Sequence, residues 1–290
     1  MKRLFNHEPY KYDDDTLKQV HRGVLGAIIG DIIGSRLEFK RNKEYNFELF
    51  TDANDFTDDT VMTIAVADWL TRGETRSVSN DTLPDIMRSW GRKHLWRGYG
   101  GMFHRWLVSG HEEDQRPYNS FGNGAGVRVS ACGYFATTLD EALDLARKYA
   151  EVSHNPPEGV KGAQSIASAI FLARQHLPKE TIREYIAREF GYDMDRSCDG
   201  IRPDYEFNET CQGSCPEAII AFLDSTNFEN AIRLAISLGG DSDTIGAMTG
   251  GIAAAYYGIP DNTARKALEY LPREMVEVLK EFARVVSNNT

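Results

Sequence analysis

Three observations predict an all-α protein built as one compact helical domain. Helix-start and helix-period signals recur along the chain, and no period-two strand with a hairpin turn is assigned. No Pro/Ser-rich linker, sharp change of composition or internal repeat divides the sequence. The chain has 290 residues, and one this long buries roughly three-quarters of its unfolded surface, so the core needs no disulfide or metal staple. Residues 1–20 read as an N-terminal extension, with Asp13, Asp14 and Asp15 as solvated acids, and 21–290 as the domain.

In chain order, "GVLGAIIGDIIG" (23–34) comes first. Gly26, Gly30 and Gly34 recur every four residues, which gives a helix one flat face for close packing. Asp31 interrupts the apolar run and needs partners, because a buried acid is costly alone. "DTVMTIAVADWL" (59–70) is apolar nearly all round, as a central helix is. Pro84, Pro178 and Pro272 fit first-turn positions of following amphipathic segments. Thr138 with Glu141, and Thr226 with Glu229, have the spacing of capping boxes. "GAQSIASAIFLARQ" (162–175) reads as a buried helix rich in small residues. Glycine-rich breaks fall at 97–102, 119–126 and 238–244, and 197–217 lacks helical periodicity, so it is either a functional loop or a stretch whose helices the pattern does not reveal.

Composition narrows the function classes. With 41% hydrophobic and 26% charged residues the chain is an ordinary globular one. A net charge of −10 argues against a general nucleic-acid surface. A small phosphate-bearing ligand stays open, since glycine loops, helix N-termini and metals also bind phosphate. Cys132, Cys198, Cys211 and Cys215 are too sparse for a disulfide framework; free thiols are the principal reading, with zinc at Cys211 and Cys215 the minor one. "MKRLFNHEPYKYDDD" has no apolar core of the secretory kind, and the run broken by Asp31 is too short to span a bilayer. The expectation is a cytoplasmic protein with no membrane partner.

Two acidic clusters carry the chemistry. "FTDDTVMT" (56–63) and "GGDSDTIGAM" (239–248) each place adjacent or near-adjacent carboxylates and hydroxyls ahead of an apolar run. One reading is helix starts: Thr57 as N-cap with Asp58 and Asp59 in the first turn, and Asp243 as N-cap with Asp241 in the approach loop. The other is an oxygen-only ligand set, suited to hard cations such as Mg²⁺ or Mn²⁺. Spacing alone leaves both open. "SFGNGAGVR" (120–128) is either a loop-to-helix junction or an anion cradle, and His154 in "SHNPPEGV" either packs or lines a site. Gly246, Gly250 and Gly251 are assigned to helix packing, and Glu38 alone is a weak signal.

Taken together and in order, "GAIIGDIIGSRLEF", "FTDDTVMT", "SFGNGAGVRVS", "SHNPPEGVKGAQ" and "LGGDSDTIGAMTGGIAAAYYGIP" resemble the ADP-ribosylglycohydrolase family over residues 23 to 260. The resemblance implies a helical domain with two ions, Mg²⁺ or Mn²⁺, at the bottom of an ADP-ribose cleft. Thr57, Asp58, Asp59, Asp241, Asp243 and Thr244 would be the metal ligands. Glu38 matches a glutamate implicated in catalysis or gating, with Asp58 and Asp243 beside it at the reaction centre. Ser120, Phe121, Gly122, Asn123 and Gly124 would hold the diphosphate and distal ribose, His154 would line the site, and Asp31 would support it. The implied reaction releases ADP-ribose from a modified protein side chain, with arginine the expected linkage and serine the alternative.

Competing readings are a binding protein that occludes an ADP-ribosyltransferase, a two-metal phosphohydrolase yielding AMP, and a hydrolase of free ADP-ribosyl compounds. Both acid clusters are intact, which favours the enzyme.

Overall fold

The fold turns on a contact that only glycine permits. A computed structural model describes residues 12–21, 23–72, 83–110 and 116–288. In it α2 (Leu25–Gly34) lies along the later helix Ser242–Tyr257. A methyl group at Gly30 would collide with the carbonyl of Gly246, and one at Gly26 with that of Gly250. Two glycine faces therefore bring two backbones together, as the four-residue spacing predicts. Every residue of α2 is buried, Asp31 included.

The remaining helices build outward from that pair. Before it, α1 (Asp14–Val20) is capped by Asp13, whose carboxylate accepts from Thr16 N at 2.8 Å. It buries Leu17 and Val20 and packs on the last helix, so these residues of the 1–20 segment lie against the domain. After a 3-10 turn at Glu38–Lys40 comes α3 (Asp58–Arg72), buried from Asp58 through Leu70. The hydroxyl of Thr57 accepts from Asp59 N at 3.2 Å, the N-cap geometry expected there.

Next come α4 (Leu83–Lys93), α5 (Gly101–Val108), α6 (Gly124–Val127), α7 (Ser130–Phe135), α8 (Leu139–Ala150) and α9 (Pro157–Arg174). Thr138 caps α8 as expected, but Glu141 closes on the N–H and hydroxyl of Thr137 rather than on Thr138. Then follow α10 (Lys179–Phe190), α11 (Cys198–Ile201), α12 (Cys211–Asp224), α13 (Phe228–Ile236), α14 (Ser242–Tyr257), α15 (Asp261–Leu268) and α16 (Arg273–Asn288).

Three local expectations shift. The cap of α13 is Asn227, bonded to Asn230 N at 2.9 Å, one residue beyond the expected Thr226. Pro178 stands at the N-cap of α10, and Pro272 likewise precedes α16, rather than inside the first turns. The stretch 197–217 is not one loop: it contains α11 and the first turns of α12, started by Thr210. Gly213 and Pro216 lie inside α12 and weaken its helix signal in the sequence.

Among the described residues there is no strand, only an isolated bridge between Gly122 and Thr210. No described helix is long and apolar enough to cross a membrane. All four cysteines are buried and free.

Candidate active site

The acidic clusters meet because α3 and α14 both begin at the same place. Asp58 and Asp59 occupy the first turn of α3. Asp241 is the N-cap of α14 without a side-chain cap bond, and Asp243 sits in its first turn. The helix begins at Ser242, earlier than the sequence expectation, so Asp241 rather than Asp243 takes the N-cap and Asp243 moves inside the helix. A helix N-terminus favours nearby negative charge, which offsets part of the cost of gathering four carboxylates. One direct bond joins the clusters: Thr244 Oγ1 donates to Asp59 Oδ2 at 2.7 Å.

Glu38 arrives from the 3-10 turn after α2, with one ligand-type atom each from Glu38, Asp241 and Asp243 within 4.8 Å of one another. Like charges this close oppose ionisation. Burial, then Asp241, Asp59 and Asp58, push the Glu38 carboxyl up to about 8. Burial, then Asp59, raise Asp58 to about 8. Burial raises Asp241 to about 6 against the hydrogen bonds that hold it, and burial with Asp241 raises Asp243 well above the ordinary range.

Arg128 answers part of that charge. Its Nη2 lies 2.9 Å from Asp58 Oδ2 and its Nε 3.6 Å from Asp59 Oδ1. The guanidinium also covers the Phe103 ring at 4.5 Å. Burial alone would lower its pKa, but Tyr149, Asp58 and Asp59 together hold it above the ordinary range. Among the described residues, no Lys or Arg forms an ion pair with Glu38, Asp241 or Asp243. The donors facing one another are carboxylates and a threonine hydroxyl, the oxygen set that hard divalent cations take. The site fits such ions.

Behind the clusters, Asp31 fills its supporting place. Its carboxylate accepts from Thr57 N at 2.9 Å, Thr57 Oγ1 at 2.7 Å, Thr60 N at 3.1 Å and Thr60 Oγ1. Asp31 thereby fixes the start of α3. Burial, then the charge of Asp59, raise it to about 7. Thr57 does not line the cleft, since its hydroxyl is turned to Asp31.

The other expected residues line one cleft of about 560 Å³: Glu38, Asp58, Asp59, Ser120, Phe121, Gly122, Asn123, Gly124, His154, Asp241, Asp243 and Thr244. Its glycine loop is tied down. Ser120 N donates to Ser153 O at 3.1 Å, Gly122 N to Ser120 Oγ at 3.3 Å and Asn123 N to Glu209 O at 2.6 Å. Those three amides serve protein acceptors, so the expected anion cradle narrows to the other amides of the loop. Asn123 spans from loop to floor, its Nδ2 donating to Asp241 Oδ2 at 2.7 Å.

His154 is buried behind the loop, its Nδ1 paired with Ser153 Oγ at 2.8 Å and its Nε2 facing Gly122 and Gly124. Burial, then the charge of Arg128, lower its pKa to about 3. The ring is neutral at physiological pH.

Several lining residues carry no sequence assignment. Arg128 lies within "SFGNGAGVR" but received no role; a lone charge in an apolar stretch is the same anomaly that marks Asp31, and could have found it. Gly98, Gly100 and Gly101 come from the break at 97–102, whose backbone crosses the start of α3 through Asp58 N to Arg97 O at 2.7 Å. Phe207 and Glu209 come from the 197–217 stretch. Phe207 stacks with Phe39, ring centroids 5.8 Å apart, at the rim.

An all-α fold whose helix starts gather acids at the floor of a cleft, under a fixed glycine loop, defines the class of the protein. The ADP-ribosylglycohydrolase family model matches residues 13–289, and the chain belongs to that family of hydrolases. It is 26% identical over 276 residues to the ADP-ribosylarginine hydrolase Tri1 of Pseudomonas putida (strain GB-1), covering 85% of this chain and 72% of that one. It is 25% identical over 319 residues to the ADP-ribosylhydrolase ARH3 of Xenopus tropicalis, covering 87% and 91%. A solved ADP-ribosylglycohydrolase-related protein complex has the same fold, with a TM-score of 0.71 over 94% of this chain and all of that chain at 24% identity.

Proposed function

We propose that the cleft hydrolyses the glycosidic bond between ADP-ribose and a modified protein side chain, with arginine as the linkage, using two Mg²⁺ or Mn²⁺ ions. The observation that carries this reading is the convergence of Glu38, Asp58, Asp59, Asp241 and Asp243 on one cleft floor beneath the Ser120–Gly124 loop. The likeness to an ADP-ribosylarginine hydrolase supports the choice of arginine.

Asp58, Asp59, Asp241, Asp243 and Thr244 would hold the ions. Thr57, whose hydroxyl donates to Asp31, would act through the start of α3. Such ions supply Lewis acidity to a water molecule and to ribose hydroxyls.

The chain's own residues do the rest. Arg128 and Asn123 fix Asp58 and Asp241, which keeps the floor preorganised. The glycine loop and His154 form the wall for the diphosphate and distal ribose, and the close backbone of Gly122 and Gly124 leaves them room. Glu38 is half-buried at the edge of the acid group, where a carboxyl can take a proton from the attacking water or deliver one to the leaving group. Acids on the floor also suit a cationic guanidinium leaving group.

Mass spectrometry of products from arginine-modified and serine-modified proteins, with and without Mg²⁺, tests the reading. Metal-dependent release of intact ADP-ribose from the arginine-linked substrate is expected. Release of AMP would replace the glycosidase by a phosphohydrolase. Release from the serine-linked protein alone would overturn the linkage.

A further inference from the structure

A second pocket is lined in part by Asp204 and Tyr205, which precede the cleft residues Phe207 and Glu209 in the chain. It measures about 520 Å³ and is lined by Asp195, Arg196, Ile201, Asp204, Tyr205 and Glu217, between the α11 segment and the first turns of α12. That volume lies within the range of small-molecule sites.

Glu217 is 5% exposed. Its Oε1 accepts from Arg196 Nη1 at 2.7 Å, while its Oε2 is buried and has no hydrogen-bond partner. A carboxylate oxygen left unpaired in a buried place is costly. The lining sets three carboxylates, Asp195, Asp204 and Glu217, against the single guanidinium of Arg196. Tyr205 adds an aromatic wall, with its hydroxyl held by Gly213 O at 2.6 Å.

We propose that this pocket is a second ligand site, separate from the acidic cleft, for a small organic cation that carries N–H donors on a guanidinium or ammonium group. A donor of that kind completes Glu217 Oε2 with a charge-assisted hydrogen bond. It can also lie against the Tyr205 ring, and the rim acids Asp195 and Asp204 draw it in. Arg196 is partly exposed and engages only Oε1, which leaves Oε2 without a protein donor.

The position of the pocket gives it a line to the cleft. The Tyr205 ring packs so closely on Gly240 that a side chain there would collide with it, and the next residue is Asp241. Lys43 clamps the same wall, its Nζ donating to the carbonyls of Arg202 at 2.7 Å, Leu238 at 2.6 Å and Tyr205.

Calorimetric titration of the full chain with agmatine and with putrescine, at constant ionic strength, tests the site. Saturable one-to-one binding of at least one of them is expected. Glu217→Gln should weaken it by about tenfold or more, the scale of one lost charge-assisted bond. Glu38→Gln, which alters the cleft, should leave it unchanged. Hydrogen exchange should show protection at 195–205 on binding. Should Glu217→Gln fail to fold, Asp204→Asn and the exchange footprint on the unaltered chain decide the matter. Absence of saturable binding by either cation overturns the proposal. So does binding that Glu38→Gln removes, or whose footprint falls on 57–60.

Discussion

Arg128 shows how one side chain organises the site. It joins Asp58 and Asp59, rests on Phe103, and lies close enough to His154 to help keep that ring neutral. Its Nε and Nη1 have no hydrogen-bond acceptor, so the guanidinium is held chiefly by charge and stacking. His154 makes the consequence measurable. Its pKa is about 3 in the folded chain, against 6.5 ordinarily. Between those values the unfolded chain binds a proton that the folded chain refuses, so stability falls as pH drops from 6.5 towards 3. Each unit is worth about 1.4 kcal/mol, which makes the loss from His154 about 2–3 kcal/mol by pH 4.5. His154→Gln removes the titration. Urea unfolding at pH 7.5 and 4.5 should therefore show a smaller drop in the variant than in the parent chain. An equal drop in both would mean that His154 takes up its proton without unfolding.

At the scale of elements, the α2–α14 contact sets the geometry. Gly30→Ala places a methyl group against the Gly246 carbonyl, where no flexible side chain can give way. The two helices must separate, at a cost of about 3 kcal/mol, the upper range for overpacking. Because Asp31 ends its bonds on Thr57 and Thr60, and α14 begins with Asp241 and Asp243, activity should fall as well. Chemical unfolding and turnover of Gly30→Ala check this, and an unfolding midpoint equal to the parent's would contradict it. This contact was legible in the sequence because glycine at four-residue intervals has one structural meaning on both helices. The acid clusters were legible for a similar reason: charges that lead into apolar runs need a stated partner. The walls were not. Phe207 and Glu209 reach the cleft through a turn between α11 and α12, and Gly213 and Pro216 mask the start of α12. Gly100 and Gly101 bear on the cleft only through backbone position, which leaves no side-chain pattern to read.

For the whole molecule, the site works against the fold that builds it. Glu38 follows α2, Asp58 and Asp59 start α3, and Asp241 and Asp243 start α14, so folding forces together acids from distant parts of the chain. In the unfolded chain Glu38 and the two clusters are far from one another, and the repulsion between them is absent. A divalent ion that binds only the folded arrangement therefore stabilises the whole domain. At one hundred times the dissociation constant the gain is about 2.7 kcal/mol per ion. For a chain of this size that raises the melting temperature by several degrees. Asp243→Asn should act in two opposed ways. Without metal it removes one of the repelling charges and should melt at or above the parent's temperature. With Mg²⁺ or Mn²⁺ present it should gain much less, so that the order of the two proteins reverses. Thermal unfolding of both, in EDTA and in each ion, reads the four states directly. If neither ion shifts the parent chain, these carboxylates do not hold a metal. If Asp243→Asn melts well below the parent in EDTA, the acid contributes to the fold itself, and the cost of gathering the cluster is smaller than its geometry implies. Crossing curves would identify a site kept for chemistry at the expense of stability, the trade expected where function needs a strained arrangement.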